Sequence, residues 1–149
     1  MAGDFESVQV VIPVRDEAAT IKTVVENLRG QGLRRIRVVD NGSSDGSGEL
    51  AHGAGAVVLR EPRPGYGRAC WRGCRDLDED IGWILFWDGD GSDAIEPAIG
   101  WLRVCDRFDL LLGDRTATPP GRKAMTPAPR WGNRLATAPI ALGWGHRYR

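Results

Sequence analysis

The sequence lacks the features that would assign it at once to several protein classes. Its 20 Lys and Arg balance 20 Asp and Glu, and 42% of its residues are hydrophobic, which excludes a disordered chain. We expect no nucleic-acid partner. Three cysteines are too few, and odd in number, for a disulfide framework, and they predict a reducing cytosol. No apolar run approaches the roughly 20 residues that span a bilayer, so we expect no transmembrane helix.

Signals for export and for common nucleotide sites are also missing. The first residues, Met-Ala-Gly-Asp-Phe-Glu, carry acid where a secretion signal needs base, so we expect a cytoplasmic protein. There is no GxxxxGK[ST] phosphate loop, and no dinucleotide glycine fingerprint follows the first predicted strand. The length of 149 residues fits one domain better than two.

The charges are unevenly distributed along the chain. Eight acids and no base lie between residues 76 and 96, whereas seven bases and no acid lie between residues 115 and 149. This asymmetry favours a site where a cation meets an anionic ligand. The alternative is that both groups of charges lie by chance on solvated faces.

Short apolar runs alternate with segments of helical periodicity. The pattern predicts helices at 18–29, 47–52 and 94–104, a loop leading into a helix at 65–75, and strands at 8–14, 36–40, 56–59, 83–87 and 108–112. Such alternation predicts an α/β fold, a Rossmann-like open and mainly parallel sheet with helices on both faces. We assign residues 1–116 to a core domain and residues 117–149 to a basic loop and helix segment, and we expect the fold to be truncated there.

Polar side chains follow three of the predicted strands. They are Arg15, Asp16 and Glu17 after the first, Asp40 and Asn41 after the second, and Asp88, Asp90 and Asp93 after the fourth. The carboxyl ends of parallel strands meet at one edge of a sheet, where ligands bind. Crowded carboxylates repel one another unless a cation joins them, and Mg²⁺ or Mn²⁺ is commonly held by one or two carboxylates and substrate phosphates. An EF-hand is excluded, because Asp93 stands where its loop needs glycine and Ile99 where it needs glutamate.

Four motifs in order give a more specific signal than any of them alone. They are Val-Val-Ile-Pro-Val-Arg-Asp-Glu at 10–17, Val-Val-Asp-Asn-Gly-Ser-Ser-Asp-Gly at 38–46, Gly-Tyr-Gly-Arg-Ala-Cys at 65–70 and Phe-Trp-Asp-Gly-Asp-Gly-Ser-Asp at 86–93. Over residues 8–140 the chain resembles family 2 glycosyltransferases of the GT-A fold. Within that family it looks most similar to the polyprenol-phosphate branch, typified by dolichol-phosphate mannosyltransferase, which implies a part in cell-wall or glycolipid synthesis.

The resemblance implies a role for each matching residue. The residues implied to bind the nucleotide sugar are Pro13, Arg15, Glu17, Asp40, Asn41, Gly67, Arg68 and Asp88. Asp88 and Asp90 are implied to bind Mg²⁺ or Mn²⁺. For catalysis the resemblance implies Arg115, near the leaving group, and Asp93 is the candidate general base. The implied reaction transfers a sugar from a nucleoside diphosphate to an acceptor with inversion at the anomeric carbon.

The acceptor is left open between a polyprenyl phosphate and a glycan. The basic tail favours a phosphate, which needs no general base, whereas a sugar hydroxyl would need one. Residues 130–135 either lie at a membrane surface, as a peripheral contact, or pack on the sheet.

Two other functions compete with a transferase. One is a truncated nucleotide-sugar-binding module without activity, because the family pattern continues past this chain. The other is a phosphatase similar to the haloacid dehalogenases, whose nucleophile motif resembles Asp88-Gly89-Asp90-Gly91-Ser92. That motif opens its domain, however, whereas 87 residues precede it here.

Overall fold

The computed structural model describes residues 5–113, which form four strands and four helices in alternation. In chain order they are β1 (Val8–Val14), α1 (Ile21–Gly30), β2 (Arg35–Asp40), α2 (Ser47–Gly53), β3 (Val57–Arg60), α3 (Tyr66–Gly73), β4 (Trp83–Phe86) and α4 (Ile95–Leu102), followed by a 3₁₀ turn at Cys105–Arg107. Each observed strand differs from its predicted range by at most one residue at either end. No helix among these residues is long and apolar enough to cross a membrane.

The strands form one parallel sheet in the order β3-β2-β1-β4. β1 lies between β2 and β4, and its Val10 is paired with Ile36 on one side and Leu85 on the other. All seven residues of β1 are buried, as expected for a strand covered on both faces. The buried Gln9 satisfies its amide by donating to the backbone oxygens of Val10 and Arg35, both at 3.0 Å.

Helices cover both faces of the sheet. The larger core joins one face of β1 to α1, which buries Ile21, Val24, Val25 and Leu28 at the spacing of an amphipathic helix, and to α2 and α4. On the opposite face α3 packs through Ala69 against Val11 and Val39. The predicted α/β fold, an open parallel sheet between two layers of helices, is therefore confirmed.

The fifth predicted strand is wrong. Residues 108–112 have no regular secondary structure, and Phe108 is 51% exposed. The alternation of Phe108, Leu110 and Leu112 is typical of a strand, but a strand also needs a hydrogen-bonding partner. In the described part of the chain β4 pairs with β1 alone. A periodic pattern predicts which side chains share a face, but it does not show whether a neighbouring strand is available to form backbone hydrogen bonds.

Among the described residues, 5–109 belong to one compact unit and 110–113 to a second. The boundary predicted after residue 116, Arg115 and the basic segment at 117–149 all lie outside the described residues. The assignment of domains therefore stays a prediction.

Candidate functional site

A cleft opens where the order of the strands reverses. The chain proceeds from β1 to β2 and β3 on one side and then places β4 on the other side of β1. In open α/β sheets ligands bind beyond the carboxyl ends of the strands at such a point. The cleft measures about 360 Å³ and is lined by Pro13, Val14, Arg15, Glu17, Asn41, Gly65, Tyr66, Ala69, Asp88, Gly89 and Asp90.

The cleft brings together six of the residues predicted for the site. Five of them were predicted from the ends of the strands, namely Arg15, Glu17, Asn41, Asp88 and Asp90, and the sixth is Pro13 within β1. The structure thus shows that residues up to 77 positions apart in the sequence share one surface. Their roles in binding stay predictions.

Other predicted residues do not line this cleft. Asp40 faces a separate groove of about 400 Å³ between α2 and β3, lined also by Gly48, Glu49, His52, Val58 and Arg60. Gly67 and Arg68 are exposed in the first turn of α3, beside the cleft-lining Tyr66. The acids that follow the strands therefore divide between the cleft, a second groove and the turns around them.

Asp16 and Asp40 serve the turns next to the cleft. Asp16 has a left-handed backbone with φ of 56°, and its carboxylate accepts the N–H of Ser44 at 2.7 Å. Its own N–H donates to the Ser43 hydroxyl at 3.1 Å. Asp40 accepts the N–H of Ser43 at 2.8 Å. These contacts fix the loop after β1 against the loop after β2.

Asp45 and Ser47 complete the same connection. The Ser47 hydroxyl accepts the N–H of Glu17 at 2.8 Å and donates to Asp45, whose other oxygen accepts the N–H of Ala18 at 2.9 Å. The hydrogen bond from the Ser47 hydroxyl, followed by the one from Ala18, lowers the pKa of Asp45 below its ordinary value. These contacts hold Glu17 at the cleft. The Asn-Gly-Ser-Ser-Asp-Gly motif is the part of the sequence from which the roles of Asp45 and Ser47 could have been predicted.

Asn41 holds the loop between β3 and α3. Its side-chain nitrogen donates to the backbone oxygens of Glu61 and Arg63, both at 2.8 Å, and its side-chain oxygen accepts the N–H of Gly65 at 2.8 Å. The residue is only 8% exposed. Asn41 thus lines the cleft while its amide is engaged in directing the chain towards Tyr66.

Tyr66 belongs to the Gly-Tyr-Gly-Arg-Ala-Cys motif at 65–70, but its contact with Asp88 does not follow from the sequence pattern. Its hydroxyl donates to Asp88 Oδ1 at 3.3 Å, while 62% of the residue remains exposed. Partial burial of the hydroxyl and the negative charge of Asp88 raise the pKa of Tyr66 to about 12. The phenol is therefore protonated at neutral pH and acts as a donor to the carboxylate.

Asp93 lies behind the turn that carries Asp88 and Asp90. Its Oδ2 accepts the backbone N–H of Asp88 at 3.3 Å, and Asp90 Oδ1 accepts the N–H of Ser92 at 2.8 Å. Asp93 is half-buried and does not line the cleft. Its use as a general base stays a prediction, while its contact with Asp88 supports the turn.

The chemistry of the turn fits a divalent cation that binds together with a diphosphate. Asp88 and Asp90 offer oxygen ligands, the kind that Mg²⁺ and Mn²⁺ prefer, on the wall of one cleft. Within residues 5–113 no three His, Cys, Asp or Glu side chains are grouped to hold an ion by themselves. Two carboxylates leave coordination positions for phosphate oxygens and water, which is the usual arrangement for Mg²⁺ with a nucleotide.

Solved structures with a related sequence include glucosyl-3-phosphoglycerate synthase from Mycobacterium tuberculosis. In complex with UDP it is 31% identical, with a TM-score of 0.49 over 56% of this chain and 33% of that chain. The same enzyme has been solved with Mn²⁺, UDP and glucosyl-3-phosphoglycerate, at 30% identity and a TM-score of 0.49 over 55% of this chain and 33% of that one.

Curated relatives share about a third of their aligned residues with the chain. Glycosyltransferase AglJ from Haloferax volcanii is 34% identical over 146 residues, which are 97% of this chain and 47% of that protein. Glucosyl-3-phosphoglycerate synthase from Mycolicibacterium smegmatis is 34% identical over 72% of this chain and 40% of that protein. Protein RfbJ from Shigella flexneri is 34% identical over 73% of this chain and 85% of that protein. The chain thus spans less than half the length of the first two.

A family model described as Glycosyl transferase family 2 matches residues 9–140, which include every residue of the cleft. The match covers most of the 149 residues. The chain belongs to glycosyl transferase family 2.

Proposed function

We propose that the cleft binds a nucleoside-diphosphate sugar and that the chain is the donor-binding part of an inverting glycosyltransferase. The observation that carries the proposal is the pair Asp88 and Asp90 on the wall of a cleft at the strand-order reversal, in a chain of this family. Arg15 and Glu17, on the same cleft, contact the nucleotide. Glu17 accepts hydrogen bonds from ribose hydroxyls or base N–H groups, and Arg15 donates to phosphate.

Asp88 and Asp90 hold a divalent cation, Mg²⁺ or Mn²⁺, in this proposal. When bound, the cation neutralises charge that develops on the departing diphosphate. Tyr66 orients the Asp88 carboxylate through its hydroxyl. Arg115, predicted near the leaving group, adds positive charge there.

For the acceptor we propose a phosphate-bearing molecule, and a polyprenyl phosphate within that class. The seven bases without an acid at 115–149 support an anionic acceptor, and two relatives are named glucosyl-3-phosphoglycerate synthase, a name that specifies a phosphate-bearing product. In a polyprenyl phosphate the attacking phosphate oxygen is already anionic, so it attacks the anomeric carbon without a general base. A glycan acceptor would need one, and Asp93→Asn would then abolish transfer while leaving donor binding intact.

A binding module without transferase activity is the second candidate. It is favoured by the fact that the chain spans 47% of the AglJ relative, so that more than half of that protein lies outside the aligned region. The two candidates share the donor site and differ in turnover. Family membership removes the phosphatase alternative.

Calorimetric titration with UDP and with GDP, each with and without Mn²⁺, tests the donor site. We expect one of them to bind more tightly with Mn²⁺. Asp90→Asn keeps an oxygen for the N–H of Ser92 but loses the charge, so the metal-dependent gain should fall by at least about tenfold. Asp109→Asn, an exposed carboxylate away from the cleft, should bind as the original chain does.

Absence of binding to any nucleoside diphosphate, with or without Mn²⁺, would overturn the proposed function. Binding without release of nucleoside diphosphate, across a panel of nucleotide sugars offered with polyprenyl phosphate or a glycan, would favour the binding module.

A further inference from the structure

A hydroxyl of the residue just before α1 contacts the turn between β4 and α4. Thr20 Oγ1 donates to the backbone oxygen of Gly89 at 2.7 Å, across 69 positions of sequence. The same oxygen lies 3.3 Å from the backbone oxygen of Glu17. A hydroxyl has one proton to donate, so the shorter contact, to Gly89, takes the larger share of it.

The packing of the turn makes this contact specific. Gly89 is buried, and a Cβ there would lie 3.2 Å from Val14 Cγ2, so the backbone of the turn packs closely against the Val14 side chain of β1. Gly91 has φ of +73°, and a Cβ there would lie 3.9 Å from the Cβ of Thr20. The segment from Asp88 to Gly91 therefore rests on the end of β1 and on Thr20.

The Gly89 peptide group lies between the two carboxylates that line the cleft. Its carbonyl direction sets the backbone angles on either side, and hence the directions in which the side chains of Asp88 and Asp90 leave the turn. A donor that fixes this carbonyl acts on both carboxylates together.

We propose that Thr20 is a positioning residue that holds the Asp88-Gly89-Asp90 turn in the geometry that binds a divalent cation with a diphosphate. This inference rests on the proposed function. Groups behind the ligands of a metal orient them, and their loss typically weakens metal binding about tenfold or more. Thr20 acts through a backbone carbonyl and touches neither the metal nor the nucleotide.

Three variants of the full chain test the proposal. Thr20→Val keeps the shape and removes the hydroxyl, whereas Thr20→Ser keeps the hydroxyl and removes the methyl group. Thr23→Val makes the same change at an exposed position of the same helix and is the matched control. For each variant, UDP and GDP affinity is measured by calorimetry with and without Mn²⁺, together with the thermal midpoint.

We expect Thr20→Val to lose about tenfold of the gain in affinity that Mn²⁺ provides, while affinity without Mn²⁺ changes little. Thr20→Ser and Thr23→Val should keep that gain. A purely structural Thr20 would lower the thermal midpoint and leave the gain unchanged, and that result would overturn the inference while leaving the proposed function in place.

Amide hydrogen exchange at Gly89, Asp90 and Gly91, measured without ligand, reports how readily the backbone of the turn opens, independently of binding. Exchange there should be faster in Thr20→Val than in Thr20→Ser and Thr23→Val. Equal exchange in all three would overturn the inference. If the original chain gains no affinity from Mn²⁺, the metal site of the proposed function fails, and this exchange experiment still decides whether Thr20 holds the turn.

Discussion

At the scale of residues, the acidic side chains around the cleft divide between binding surfaces and turns. Asp88 and Asp90 line the cleft, whereas Asp16 and Asp45 accept backbone N–H groups of a neighbouring loop. Both kinds occur in motifs that match the family. The presence of a carboxylate in such a motif therefore does not make it a ligand for metal or nucleotide. Its hydrogen-bond partners show whether it stabilises a turn or faces the cleft.

Asp45 should make folding stability depend on pH in the acid range. Its pKa is lowered in the folded chain, so the ionised form stabilises the fold above the ordinary value of 3.8, and this contribution is lost as pH falls through the lowered pKa. Asp45→Asn places an amide where Ala18 donates its N–H, which weakens the link between the two loops. Urea unfolding at a series of pH values should show the variant less stable at pH 7.

That difference between Asp45→Asn and the original chain should shrink as pH falls below 3.8, because the unfolded chain then binds a proton at Asp45 while the folded chain does not, and it should vanish once pH has fallen through the lowered pKa of the folded chain. Asp109→Asn, at an exposed position, is the control and should follow the original chain throughout. A stability difference that stays constant down to the lowest pH would show that the charge of Asp45 does not contribute.

At the scale of elements, a glycine sets the distance between α3 and the sheet. Gly73 ends α3 and is buried against Val11 and Val39. A Cβ at this position would lie 2.3 Å from Val11 Cγ1 and 3.2 Å from Val39 Cγ2. Close approach of the helix places Tyr66, at its other end, beside Asp88.

Gly73→Ala should therefore destabilise the fold by about 1–3 kcal/mol through overpacking. Gly100→Ala is the matched control, because Gly100 is an exposed residue of α4 with nothing within 4 Å of the added methyl group. It should be neutral or stabilise by about 0.5–1 kcal/mol through helix propensity. Urea unfolding measures both, and equal effects of the two substitutions would contradict close packing at Gly73.

At the scale of the whole molecule, the cleft joins parts that are distant in sequence. Its walls come from the ends of β1, β2 and β4 and from the start of α3. A ligand that bridges these walls binds the folded chain and has no comparable site on the unfolded one. Binding should therefore stabilise the entire fold.

UDP or GDP, whichever binds, should raise the thermal midpoint when Mn²⁺ is present. At a ligand concentration one hundred times the dissociation constant the stabilisation is about 2.7 kcal/mol, which corresponds to about 5–10 °C for a domain of this size. Differential scanning fluorimetry measures the shift. Mn²⁺ alone and nucleotide alone are the controls, and an equal shift with nucleotide alone would argue against a metal in the site.

The sequence by itself determined the alternation of strands and helices and the parallel sheet, and the ends of its strands predicted five residues that line the cleft. These follow from local patterns, because a buried strand is an apolar run and the ends of parallel strands share an edge. Tertiary structure decided which acids face the cleft, the contact of Tyr66 with Asp88, the link from Thr20 to Gly89 and the absence of a strand at 108–112. Each of these depends on a hydrogen-bonding partner far along the chain or on a neighbouring strand, and a pattern within one segment contains no information about either.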